Sequence, residues 1–219
     1  MAHEHAHEHP HDHHDHPHDG IVDVEGPPSH YQQMEIALRE LLIEKGIVTA
    51  EDVRREVEAM EGRNAGSGAR MVARAWLDPA YKRRLLSDAR AAAAEFGFEA
   101  GVFHILVMEN TPKLHNMIVC TLCSCYPRML LGLPPAWYKG IAYRSRAVRE
   151  PRAVLAEFGM QLPDDVELRV HDSTADMRYM VLPMRPAGTE GWSEEALAAL
   201  VTRDSLIGVA AALPASSAR

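Results

Sequence analysis

Three cysteines, Cys120, Cys123 and Cys125, lie within the stretch VCTLCSCYP (119–127), and the 219-residue chain has no others. Thiolates are metal ligands and nucleophiles, so this clustering points to metal or redox chemistry. A C-x-x-C pair alone fits half of a zinc site or a redox dithiol. Structural zinc takes four tetrahedral ligands, often from two knuckles. The sequence has no second knuckle, and His104 and His115 are the nearby candidates for a fourth ligand. A dithiol leaves the third thiol unexplained, and an iron–sulfur cluster usually takes four cysteines.

A tighter arrangement uses the backbone as well. Three thiolates on one claw can face a single ion, and the amide nitrogens of Ser124 and Cys125 can coordinate it when deprotonated. Three sulfurs and two nitrogens leave the sixth octahedral position open. Such anionic donors favour a trivalent, low-spin ion over Zn2+. An open position on that ion is a Lewis-acid site, able to polarise a bound oxygen or nitrogen or to acidify water. Metal-bound, partly exposed thiolates can also oxidise to sulfenic and sulfinic acids. A non-catalytic alternative stays open: a metal knot that only pins the chain, in a metal-storage protein.

The elements that must position this turn are legible around it. Residues 1–30 form a tail in which nine of the thirteen histidines fall within MAHEHAHEHPHDHHDHPHDG (1–20), alternating with Asp and Glu. Nothing there can build a core, so disorder is expected. The alternation favours a native tail that loosely binds divalent cations over an appended tag. Residues 31–96 read as a helical arm. Met34, Leu38, Leu41 and Leu42 recur at helical spacing, and Thr49 is an N-cap for a helix to about Met60. A loop is expected over Gly62–Gly68, then helices over 69–77 and 80–96. Residues 97–219 read as an α+β domain carrying the claw. Strands are expected over Val102–Met108, Asn116–Val119, Leu168–Val170, Arg178–Leu182 and Thr202–Val209. Helices are expected over Pro151–Phe158 and Glu194–Val201. The fold class is therefore α+β: a helical N-terminal arm followed by a layered α/β sandwich.

Composition narrows the partners. With 47% hydrophobic and 25% charged residues, the chain can bury a core, and its net charge of -8 argues against a nucleic-acid partner held through phosphates. No apolar run approaches the roughly 20 residues that span a bilayer. The N-terminus lacks the apolar segment of a secretory signal. A cytoplasmic protein without a membrane partner is the expectation.

CTLCSC followed by YPRMLLGLPPAWYKG resembles the metal-binding segment of the nitrile hydratase α-subunit. ENTPKLHN precedes it; YRSRAVREPRAVLAEFG, RYMVLPMRPAGTEGWSEE and TRDSLIGV follow it. ARAWLDPAYKRRLL in the arm is similar too, so the likeness spans about residues 31–209. The resemblance implies non-corrin cobalt(III) held by Cys120, Cys123, Ser124 and Cys125, with iron(III) ranked second. Thr121 is the cobalt-type choice. It implies Cys123 as a sulfinate, Cys125 as a sulfenate that acts as nucleophile or base, and Cys120 unmodified. The implied reaction is hydration of a small-molecule nitrile to its amide. The implied partners are a β-subunit, in an αβ heterodimer that is usually doubled to α2β2, and an activator protein for cobalt insertion.

Two departures bear on the substrate pocket. Pro127-Arg128-Met129 stands where the family often carries Pro-Trp-Pro, and Gly101 stands where a polar residue is common. At Arg128 the chain resembles the sister family, the thiocyanate hydrolase γ-subunit, where a cation favours an anionic substrate; a salt bridge at the surface or a subunit interface is the equal alternative for it. Nitrile hydratase ranks first and thiocyanate hydrolase second. Elsewhere the plain readings hold. Tyr138, Trp137 and Trp192 are core or interface aromatics. Arg144, Arg146, Arg149 and Arg152 are solvated charges. Arg178 is a candidate for an intersubunit ion pair. His115 is a satisfied core histidine or a donor to the claw. Glu109, Asp172 and Asp176 are unranked acids near the site.

Overall fold

The computed structural model describes residues 27–98 and 103–217. The His-rich stretch and Gly101 lie outside the described residues.

Reciprocal caps start the first two helices. Ser29 and Gln32 exchange bonds at α1 (His30–Glu44), as Thr49 and Asp52 do at α2 (Ala50–Glu61). Neither helix buries a residue, and Tyr31, Met34, Leu38 and Leu41 form an exposed apolar stripe.

Burial begins at α3 (Gly66–Leu77), which contributes Met71, Val72 and Ala75 to the core. The expected 62–68 loop is shorter than its composition implies. Asn64 accepts from Gly66 N, and the helix begins there. A Cβ on Gly68 would lie 2.9 Å from Leu206 Cδ1 and 3.3 Å from Leu131 Cδ1, so its absence sets how closely α3 packs. The single helix expected over 80–96 is two, α4 (Pro79–Ser87) and α5 (Ala89–Ala94). Asp88 breaks it by accepting from Arg90 N and Ala91 N as a new N-cap.

Four strands form two parallel pairs. β1 (His104–Glu109) pairs with β4 (Met177–Leu182), and β2 (Leu114–Val119) pairs with β3 (Glu167–Asp172). β2 is buried from His115 to Val119, as expected of a strand covered on both faces. β1 instead alternates at its start, burying Ile105 and Val107 and leaving Leu106 exposed. Between β2 and β3 lie α6 (Arg128–Leu131), α7 (Ala136–Lys139), α8 (Ile141–Arg149) and α9 (Pro151–Glu157). After β4 come α10 (Glu194–Ala198) and α11 (Arg203–Ile207). The layers are thus helices packed on short strands, a mixed α and β fold.

The strand expected over Thr202–Val209 is not formed. Thr202 and Ser205 make a reciprocal cap, and α11 runs to Gly208, which stops it at φ 88°. An apolar run as short as Leu206-Ile207-Gly208-Val209 has no period that separates strand from helix, and the cap decides.

Candidate metal centre

β2 delivers the cysteine turn. Cys120 is the first residue beyond the strand and is fully buried; Cys125 is half-buried and Cys123 exposed. The three sulfurs lie within 4.8 Å of one another. Cys123 Sγ is 3.4 Å from Cys120 Sγ and 3.1 Å from Cys125 Sγ. Hydrogen bonds from Cys125 and then Cys120 lower the Cys123 thiol to about 7. Burial pushes Cys125 up to about 12, with the Arg178 cation opposing that rise.

The backbone of this turn is held by side chains from three directions. Asp172 ends β3, in register with Val119, and accepts from Thr121 N at 2.9 Å and Thr121 Oγ1 at 2.6 Å. Arg144 of α8 donates to Cys120 O and Thr121 O. Tyr138 of α7 donates to Cys125 O, and Tyr143 of α8 to Ile118 O. Arg144 is therefore no free surface charge, and Tyr138 does more than fill the core. Among the other arginines of that run, Arg146 pairs with Glu150 and Glu157, while Arg149 and Arg152 donate to backbone carbonyls.

Among the described residues, no histidine or carboxylate joins the cysteine cluster. His104 lies exposed at the start of β1. His115 is buried, with Nε2 2.7 Å from Gly208 O and Nδ1 3.2 Å from Asn110 Nδ2. It is the satisfied core histidine, not a donor to the claw. Arg178 is also buried. It donates to Thr174 O, Ala175 O and Met177 O, and its guanidinium lies 4.2 Å from the Phe103 ring centroid. All three of these bonds come from Nη1 and stay within the chain. Glu109 pairs with Lys82, and Asp176 accepts from His104 N through its carbonyl. Arg128 starts α6, exposed, three residues past Cys125.

Burial lowers the pKa of His115, so the folded protein holds it neutral. The unfolded chain binds that proton below a pKa of about 6.5. Stability from this group is therefore full above pH ~6.5 and is lost as pH falls toward the lowered folded value. Urea unfolding at a series of pH values is expected to show the loss, by at most about 1.4 kcal/mol per pH unit for one proton. His115→Gln is expected to flatten that dependence; an unchanged slope would assign it to other groups.

With this geometry in place, comparison with known proteins is direct. A family model described as nitrile hydratase, alpha chain, matches residues 29–210. The chain belongs to the nitrile hydratase α-chain family. It is 54% identical over 176 residues to the low-molecular weight cobalt-containing nitrile hydratase subunit alpha of Rhodococcus rhodochrous, covering 79% of this chain and 84% of that one. It is 46% identical over 198 residues to thiocyanate hydrolase subunit gamma of Thiobacillus thioparus, covering 85% and 82%. Among solved structures, a double histidine-to-alanine variant of the Fe-type nitrile hydratase from Comamonas testosteroni Ni1 superposes with a TM-score of 0.79 at 47% identity, covering 84% and 90%. Within the nitrile hydratase α-chain family, close relatives thus include cobalt and iron proteins, and a thiocyanate hydrolase.

Proposed function

We propose that this chain is the metal-bearing subunit of a nitrile hydratase, adding water across a C≡N bond: R–C≡N + H2O → R–C(=O)NH2. The observation that carries the reading is the convergence of three cysteine sulfurs within 4.8 Å, with no fourth side-chain ligand among the described residues. Three soft anionic donors on a turn with two adjacent amides fit a trivalent ion better than a closed tetrahedral zinc site.

Cys120, Cys123 and Cys125, with the amide nitrogens of Ser124 and Cys125, are the proposed ligands. Cobalt(III) is preferred because the match to a cobalt-containing relative is high and Thr121 occupies the cobalt-type position. When bound, the ion supplies a Lewis acid beside the nitrile. The chain's own residues supply the rest. Cys125, as a sulfenate, offers an oxygen that takes the proton of the attacking water or attacks the nitrile carbon itself. Cys123, exposed and lowered to about 7, is the thiol best placed to oxidise, and is assigned the sulfinate. Buried Cys120 stays a thiolate.

A β-subunit partner is part of the proposal. The exposed stripe of α1 and the exposed Leu122, Ile141 and Val148 beside the claw are apolar surfaces that support it. An α2β2 assembly and an activator protein for cobalt insertion complete the reading. Arg128 supports a second substrate. Among the described residues its side chain has no hydrogen-bond or ion-pair partner, and an exposed cation near the claw favours anionic thiocyanate.

The test is intact-mass and elemental analysis of the chain purified with its natural partners, followed by nitrile and thiocyanate assays. About one cobalt per chain and three added oxygens on Cys123 and Cys125 are expected. Preferred turnover of a nitrile supports the first reading, and preferred turnover of thiocyanate the second. One zinc with unmodified cysteines overturns both in favour of a structural knot.

A further inference from the structure

Metal claws need more than ligands. A turn without regular secondary structure can hold several shapes, and the ligands grip well only if one of them is held in advance. The two ends of this turn are held from the same place. At the first end, Arg144 Nε donates to Cys120 O at 3.1 Å and Nη2 to Thr121 O at 2.8 Å. At the far end, the Tyr138 hydroxyl donates to Cys125 O at 3.0 Å.

Both side chains come from α7 and α8, which meet at Gly140, the last cap of one helix and the first of the other. The pair is packed rigidly. Tyr138 is fully buried, with ring centroids 5.2 Å from Tyr126 and 5.6 Å from Tyr143. Trp137 lies 4.8 Å from Tyr143 and 4.7 Å from Phe158. Tyr143 adds a fourth bond, to Ile118 O at 2.6 Å, behind the claw. The span between Cys120 and Cys125 is therefore tied to one aromatic cluster.

Charge points the same way. Three thiolates and two amidates bring five negative charges against three on a trivalent ion, so a loaded claw is a net dianion. One end of that dianion, at Cys120, is buried, and a nearby cation offsets its charge there. Arg144 places one at the Cys120–Thr121 backbone, within this chain and independent of any partner.

We infer that Tyr138 and Arg144 are positioning residues: a brace on α7 and α8 that fixes the span of the cysteine claw through its carbonyls, with Arg144 also offsetting its charge. This inference rests on the metal reading above. Neither side chain touches the substrate or the ion; both act through the claw backbone.

The test is made on the assembled holoenzyme. Release of metal to excess chelator and the sulfur-to-metal charge-transfer absorption are measured for the parent, Tyr138→Phe, Arg144→Met and Arg144→Lys. Tyr138→Phe keeps the ring and is expected to release metal about fivefold faster, the equivalent of one neutral hydrogen bond. Arg144→Met is expected to release it at least about thirtyfold faster, because two charge-assisted bonds are lost. Both are expected to shift the absorption band. Arg144→Lys keeps the charge but not the planar fork, so its release should stay closer to that of the Met variant. Should Arg144→Met fail to assemble, Tyr138→Phe still decides. Parental release and absorption in the variants, even with a lowered melting temperature, overturn the brace. Full rescue by Arg144→Lys overturns the fork. A parent enzyme that holds no trivalent ion sinks the metal reading, and the brace with it.

Discussion

Gly208→Ala is expected to unfold the protein at temperatures where the parent is stable, although the substitution adds one methyl group outside the claw. Gly208 sits at φ 88°, where an L side chain is strained. Strain is the smaller part. The added Cβ would lie 2.0 Å from Asn116 O and 3.0 Å from Met117 Cα, both backbone atoms of β2. Neither can rotate away, so α11 must move off the strand that carries the claw. That movement also breaks the bond between His115 and Gly208 O. A cost of about 5 kcal/mol or more follows from the combined clash, strain and lost bond. For a domain of this size, that lowers the melting temperature by roughly 10–20 °C. Gly97→Ala is the matched control, since Gly97 has φ 71° but nothing within 4 Å of a Cβ. It is expected to cost about 1 kcal/mol. Equal losses in calorimetry would show that backbone strain, not the approach of α11 to β2, sets the effect.

The contrast between those glycines marks what a sequence can reveal. Gly97 and Gly208 look alike as helix stops, and only the path of β2 distinguishes them. The claw is legible because its spacing is local: Cys120, Cys123 and Cys125 must share a turn whatever the rest of the chain does. Caps are legible for the same reason, as at Thr49. Residues that meet the claw from afar are not. Asp172 lies 51 positions from Thr121, and only the β2–β3 register brings them together. Arg144 reads as one of four arginines in YRSRAVREPR, and nothing local marks it as the one turned inward. Nothing local shows either that Arg178 reaches, through Nη1, carbonyls three and four residues away. At α11, Leu206 and Ile207 supply burial without a period, and the Thr202 cap makes the segment a helix.

Cys125→Ser is expected to abolish metal-dependent activity while leaving the fold intact, and this asymmetry separates a reactive ligand from a structural one. Cys125 is half-buried, and the hydrogen bond at its position, from Tyr138, goes to the backbone carbonyl that serine retains. Its thiol contacts Cys123 rather than packing into the apolar core. Thermal stability of the metal-free assembly should therefore change little, by about 0.5 kcal/mol or less, as for substitutions that touch no core contact. Metal binding should change greatly. A neutral hydroxyl is a poor donor for a soft site, and no histidine or carboxylate among the described residues lies in the cluster to replace it. The same substitution removes the sulfenate oxygen proposed as nucleophile or base. Loss of a ligand and a reacting group together is expected to lower turnover by at least about a thousandfold. Cys120→Ser is the companion variant. It removes a ligand too, but from a fully buried position, so it should cost stability as well as metal. The measurements are cobalt content, added oxygens by mass, melting temperature and turnover. Retained cobalt and turnover in Cys125→Ser would remove Cys125 from both roles. Equal destabilisation of the two metal-free variants would reduce the turn to a structural knot, because a reactive position should be dispensable to the fold that presents it.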